Sequence, residues 1–127
     1  MAGDVVSTFI DAIERKELDR ALTLVTPDCQ YDNVPFGPIF GVDGIRGVLA
    51  PFLDRWDEIS WVVEHQVSSG SAEAGIVMNE RRDRFRLGER WIELPVAGLF
   101  VLHDGRITLW RDYFDEGQYG RALTELG

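Results

Sequence analysis

Arg81 and Asp83 stand two residues apart in a run that reads as a β-strand, and a second aspartate, Asp112, lies in the aromatic-rich segment Trp110-Arg111-Asp112-Tyr113-Phe114. Successive side chains of a strand point to opposite faces. Glu80, Arg82, Arg84 and Arg86 therefore share a face that only water can accommodate, while Val77, Asn79, Arg81, Asp83 and Phe85 share the other. That second face is apolar at both ends, so Arg81 and Asp83 read as charges set in a partly apolar interior, where charged groups are tolerated when paired. Asp112 falls by the same alternation between Trp110 and Phe114. Such a set reads as an active site, because two carboxyls in opposite protonation states can serve as acid and base. Blander readings exist for each residue. Arg-x-Asp can be a surface ion pair of little energetic weight, and Asp112 can be a structural carboxylate satisfied by Arg111 or a backbone amide.

The elements that must position these groups follow from periodicity. Val5, Val6, Phe9, Ile10 and Ile13 recur at helical spacing, and Leu18, Ala21, Leu22 and Val25 do so again after a polar stretch, which predicts two short helices or one broken one. Thr26-Pro27-Asp28 stops the pattern, and a short extended segment from Cys29 to Val34 places Tyr31 and Asn33 on one face. After a Pro- and Gly-rich loop, Gly41-Val42-Asp43 reads as the cap of a helix that buries Ile45, Val48, Leu49, Phe52, Leu53 and Trp56, with Pro51 interrupting it. From Ile59 the pattern turns to strands, over 59–68, 74–87, 89–103 and 106–114, separated by turn signals at Ser69-Gly70, Gly88 and Asp104-Gly105. Short connections make these strands antiparallel. Helices followed by hairpin-linked strands predict an α+β domain with helices on one face of a curved sheet.

Composition narrows the range of functions. At 127 residues and 45% hydrophobic content, with four Trp and seven Phe, the chain is expected to be one domain, 1–127, with one real core. A net charge of −9 disfavours nucleic acid and anionic membranes as partners. Cys29 is the sole cysteine and has no internal disulfide partner; it and the histidines His65 and His103 form no metal-ligand pattern, so no metal is expected. Cys29 reads as a small apolar side chain, His103 as a turn residue and His65 as a strand-surface residue. No basic, apolar leader and no stretch of membrane-spanning length appears, so the expected location is the cytoplasm.

Three blocks together resemble the limonene-1,2-epoxide hydrolases: Tyr31-x-Asn33 followed by Pro35, then Glu80-Arg81-x-Asp83, then Gly105-x-Ile107-Thr108-x-Trp110-Arg111-Asp112-Tyr113-Phe114-Asp115. The likeness runs from about Tyr31 to the end. It implies a cone-shaped α+β fold of the nuclear-transport-factor and ketosteroid-isomerase type, its sheet antiparallel and its helices on the concave face. It also implies a homodimer, no cofactor, a hydrophobic epoxide as substrate, and an Asp-Arg-Asp triad with a Tyr and an Asn placing the water. Mapped onto this chain, Asp112 is the base, Asp83 the acid, Arg81 the bridge, and Tyr31 and Asn33 the water-holding pair. Phe52, Trp56, Phe85, Leu94, Val96 and Phe114 are candidates for an apolar wall, each with core packing as the plain alternative. The segment ahead of the first block is shorter than the resemblance implies, so less chain is expected to close the pocket.

Other readings of the same fold stay open at this point. An isomerase or polyketide cyclase would also place a carboxylate in such a cavity. A non-catalytic binding module would keep the pocket without needing three buried charges, and a structural or dimerisation domain would place Arg81, Asp83 and Asp112 on the surface.

Overall fold

A computed structural model describes residues 1–126. Helix α1 (Ala2–Glu14) buries Val6, Phe9, Ile10 and Ile13, the stripe that the spacing predicts, and α2 (Leu18–Leu22) follows after a break at Lys16, which takes a positive φ of 60°. Strand β1 (Val25–Asn33) starts earlier than expected and absorbs the Thr26-Pro27-Asp28 break as an irregularity in its pairing. The Pro- and Gly-rich stretch that reads as a loop contains a short strand, β2 (Gly37–Phe40), paired back on β1.

Helix α3 (Gly41–Arg55) contains Pro51 within its span; no side chain caps its start, and Asp43, read as part of the cap, instead sits in the first turn as a charge that complements the helix dipole. Four strands complete the sheet: β3 (Glu58–Gly70), β4 (Ala74–Leu87), β5 (Arg90–His103) and β6 (Arg106–Tyr113). Their bounds lie within two residues of the expected ones. The β5–β6 hairpin turns on Asp104-Gly105, both with positive φ, the geometry whose twist matches that of the flanking strands.

The strand order is β2-β1-β6-β5-β4-β3. All pairs are antiparallel except β1 with β6, which run parallel, so the sheet is mixed and the antiparallel expectation is corrected. Loop length constrains only strands consecutive in sequence, whereas β1 and β6 meet across most of the chain. A last helix, α4 (Glu116–Glu125), has no counterpart in the sequence reading. Its Asp115 cap accepts a hydrogen bond from Gln118 N at 2.8 Å. The helices lie on one face of the curved sheet, and the core between them centres on fully buried Phe9, Phe100 and Trp110. Each such side chain contributes about 1.5–3 kcal/mol by leaving water. Among the described residues no helix is long and apolar enough to cross a membrane.

Candidate active site

Strand β4 presents its inner face as the alternation predicts: Val77, Asn79, Arg81, Asp83 and Phe85 are all buried, while Glu80 and Arg82 are exposed. Arg81 is 1% exposed, and Asp83 and Asp112 are each 4% exposed, which removes both the surface-pair reading and the purely structural-surface reading. Its guanidinium makes a bidentate contact with Asp83, Nε to Oδ1 and Nη2 to Oδ2, both at 3.0 Å. Nη2 also donates to Asp112 Oδ2 at 2.9 Å. One cation therefore bridges two carboxyls supplied by β4 and β6. Arg111 takes no part, because it pairs with Asp32 at 3.0 Å on the other side of the sheet.

The remaining lone pairs of Asp112 are steered by the indole of Trp110, whose Nε1 donates to Oδ1 at 3.0 Å. Tyr31 stacks flat on the same indole, with ring centroids 3.9 Å apart. Because β1 pairs with β6, Asn33 lies directly across from Asp112. The parallel pairing thus brings Tyr31, Asn33 and Asp112 together from distant parts of the chain. Arg81 also lies over the ring of Trp61, 5.2 Å from its centroid.

A cavity of about 270 Å³ opens over this cluster, and Tyr31, Asn33, Asp83 and Asp112 form its polar end. Phe52, Phe85, Leu94, Val96 and Phe114 line it as the sequence reading proposes. Trp56 does not. It follows the last residue of α3 in an extended conformation, φ −94° and ψ 137°, which takes its ring out of helical phase and behind Phe85, with centroids 5.3 Å apart. Trp56 is core. The wall also includes Val48 and Leu49, which the sequence reading placed on the buried face of the helix but not in the wall, and Phe36, Trp61 and Tyr119, which it did not single out. Tyr119 was hidden because it rides on α4; Asp115-x-x-Gln118 is a capping signature that could have revealed that helix. Asn79 donates to no carboxylate but accepts Arg81 Nη1 at 3.0 Å. Its place on the inner face was legible, its role was not.

Burial pushes the pKa of Asp83 up to about 6, against the opposing pull of the Arg81 charge and hydrogen bonds and with help from the nearby Asp112 charge. Burial alone would disfavour the charge on Arg81, but Asp112 and Asp83 hold it charged more firmly than an ordinary arginine. Burial, then Asp112, raises the Tyr31 phenol, with the Asn33 amide pulling the other way, so it stays a neutral donor. One cation among two carboxyls reaches zero net charge with a single added proton, the state that a buried site favours. Among the described residues no three His, Cys, Asp or Glu side chains group to hold a metal ion.

Comparison with known proteins matches the chain over residues 2–122 to the limonene-1,2-epoxide hydrolase catalytic domain. It is 32% identical over 111 residues to epoxide hydrolase EphG of Mycobacterium tuberculosis, covering 87% of this chain and 70% of that protein. The structure of an LEH-like epoxide hydrolase from M. tuberculosis superposes with a TM-score of 0.78 at 29% identity, covering 97% of this chain and 92% of the other. A candidate SnoaL-like polyketide cyclase from Shewanella putrefaciens superposes with a TM-score of 0.83, covering 98% of this chain and 86% of the other, but at 15% identity it shares the fold alone.

Proposed function

The chain belongs to the limonene-1,2-epoxide hydrolase family, and from that premise we propose that it adds water to a hydrophobic epoxide, cyclic or terpenoid, in one step to give a vicinal diol. The observation that carries this reading is the pair of carboxyls, Asp83 and Asp112, that line the polar end of an apolar cavity and are bridged behind it by the buried guanidinium of Arg81. An apolar wall admits a neutral, water-poor substrate, and the polar end addresses only its reacting atoms.

In this mechanism Asp112 is the base. Arg81 and Trp110 each occupy one lone pair of its two oxygens, leaving a lone pair to take a proton from a water that Tyr31 and Asn33 orient. Water oxygen attacks one ring carbon from behind as the C–O bond on that carbon breaks. Asp83 gives its proton to the ring oxygen as negative charge develops there, a role that suits a carboxyl whose pKa burial raises. The turnover leaves the proton on Asp112 and the charge on Asp83, and transfer of one proton between the two restores the starting state. Water and epoxide are the only reactants, so no cofactor enters the balance. General acid and base positioned this way contribute about 10²–10⁴-fold each.

Single-turnover reaction in ¹⁸O water tests the chemistry. The label is expected in the diol; label in an enzyme carboxylate on the following turnover would establish an ester intermediate and refute the one-step route. We propose further that the chain pairs as a homodimer through the outer face of its sheet, where Val67, Ile76, Met78 and Tyr113 are large and exposed.

A further inference from the structure

One row of side chains crosses five strands of the sheet. Gln66, Asn79, Gly98, Asp112 and Asn33 are successive register partners on β3, β4, β5, β6 and β1. Gln66 reaches this row through a bulge between Val63 and His65, which adds a residue to β3 and so moves the amide opposite Asn79. Gly98, in the middle, leaves the row open. A Cβ there would collide with Arg81 Nη1 and stand 2.9 Å from Asn79 Oδ1 and 3.0 Å from Asp112 Oδ1. The arginine head therefore lies against bare glycine backbone, which offers no side chain to hold Nη1.

Asn79 supplies that constraint. Its Oδ1 accepts Nη1 at 3.0 Å, while its Nδ2 donates to Gln66 Oε1 at 3.2 Å, so the outer amide sets which way the inner one faces. Asn79 is itself 4% exposed. We propose that Asn79 is a positioning residue for proton transfer: it pins Nη1 so that Nε and Nη2 grip Asp83 while the second Nη2 hydrogen reaches Asp112. Released from Nη1, the fork can turn about its own axis and close on one carboxyl, which ends the bridge. The chemistry of an amide matters as much as its place. A neutral acceptor satisfies Nη1 without adding a third negative charge, so the cluster still closes with a single proton.

The kinetic part of this inference rests on the hydrolase reading; the geometric part does not. Two variants and two readouts test it. Asn79→Ala removes the acceptor, and Asn79→Asp keeps an acceptor but adds charge. In protein carrying ¹³C-labelled aspartate, Asn79→Ala adds no charge, so a fork that has turned is expected to move the carboxyl titration of Asp83 by about one pH unit, whereas the shift in Asn79→Asp contains the added charge as well. In diol formation, Asn79→Ala is expected to lower kcat by about 10- to 100-fold with KM within about twofold, and Asn79→Asp to recover part of kcat with its pH optimum moved upward.

A purely structural asparagine predicts otherwise. If Asn79→Ala kept kcat within about twofold per folded molecule, or if its Asp83 titration coincided with wild type, the positioning role would be wrong. Should wild type convert no epoxide while Asn79→Ala still moves the Asp83 titration, the reaction assignment falls and the positioning stands.

Discussion

Replacing Asp83 with Asn offers a direct measure of the stress stored at the site. Asp83 is 4% exposed, and burial, against the pull of Arg81, brings its carboxyl from the ordinary 3.8 up to about 6. Between about pH 4 and pH 6 the native protein holds a proton here that the unfolded chain has released. Stability from this group therefore falls as pH rises through that window and stays low above it. A difference of about 2 pH units at about 1.36 kcal/mol each is about 3 kcal/mol. An asparagine cannot ionise, so it escapes this loss, although its amide NH₂ turns one donor toward Arg81 and costs a pH-independent amount of about 1–3 kcal/mol. The stability of Asp83→Asn relative to wild type is expected to improve by about 3 kcal/mol from pH 4 to pH 7. Urea denaturation at four pH values measures both proteins under identical conditions, cancelling the titration of other groups. Parallel curves for the two proteins would refute the buried, proton-holding carboxyl. In the same window wild-type kcat/KM should decline above about pH 6 as the acid is lost, and the variant should be slower by at least about 10²-fold.

Arg81→Ala strands two buried carboxyls without their counter-charge, and is expected to cost about 3–5 kcal/mol of stability together with turnover; thermal melts and diol assays on one preparation check both. Trp56→Phe trims a core side chain that the cavity does not see, so about 1–3 kcal/mol of stability should be lost while KM stays within about twofold. Light scattering should find a dimer that Met78→Lys, on the outer sheet face, converts to monomer; a wild-type monomer at all accessible concentrations would overturn the pairing.

Alternation put Asn79, Arg81 and Asp83 together on one face of β4, because neighbouring strand residues must point to opposite faces, and the charges Glu80, Arg82, Arg84 and Arg86 on the other favoured that face as the inner one. Strand bounds and hairpins were legible for a similar reason: Gly88 and Asp104-Gly105 adopt backbone angles that few other residues tolerate. The three motif blocks pointed to the family before any contact was known. What sequence could not carry was register between strands that are not neighbours in the chain. The parallel pairing of β1 with β6 places Asn33 across from Asp112, and the bulge in β3 places Gln66 across from Asn79. Both depend on the assembled sheet rather than on local periodicity. The same holds for Trp56, whose helical phase ends with α3. It holds too for Gly98, which in sequence is one small residue among apolar ones, and becomes the gap that admits the arginine only when β4, β5 and β6 lie side by side. Chain-local sterics set which face a side chain takes; the packing of distant strands decides what it meets there.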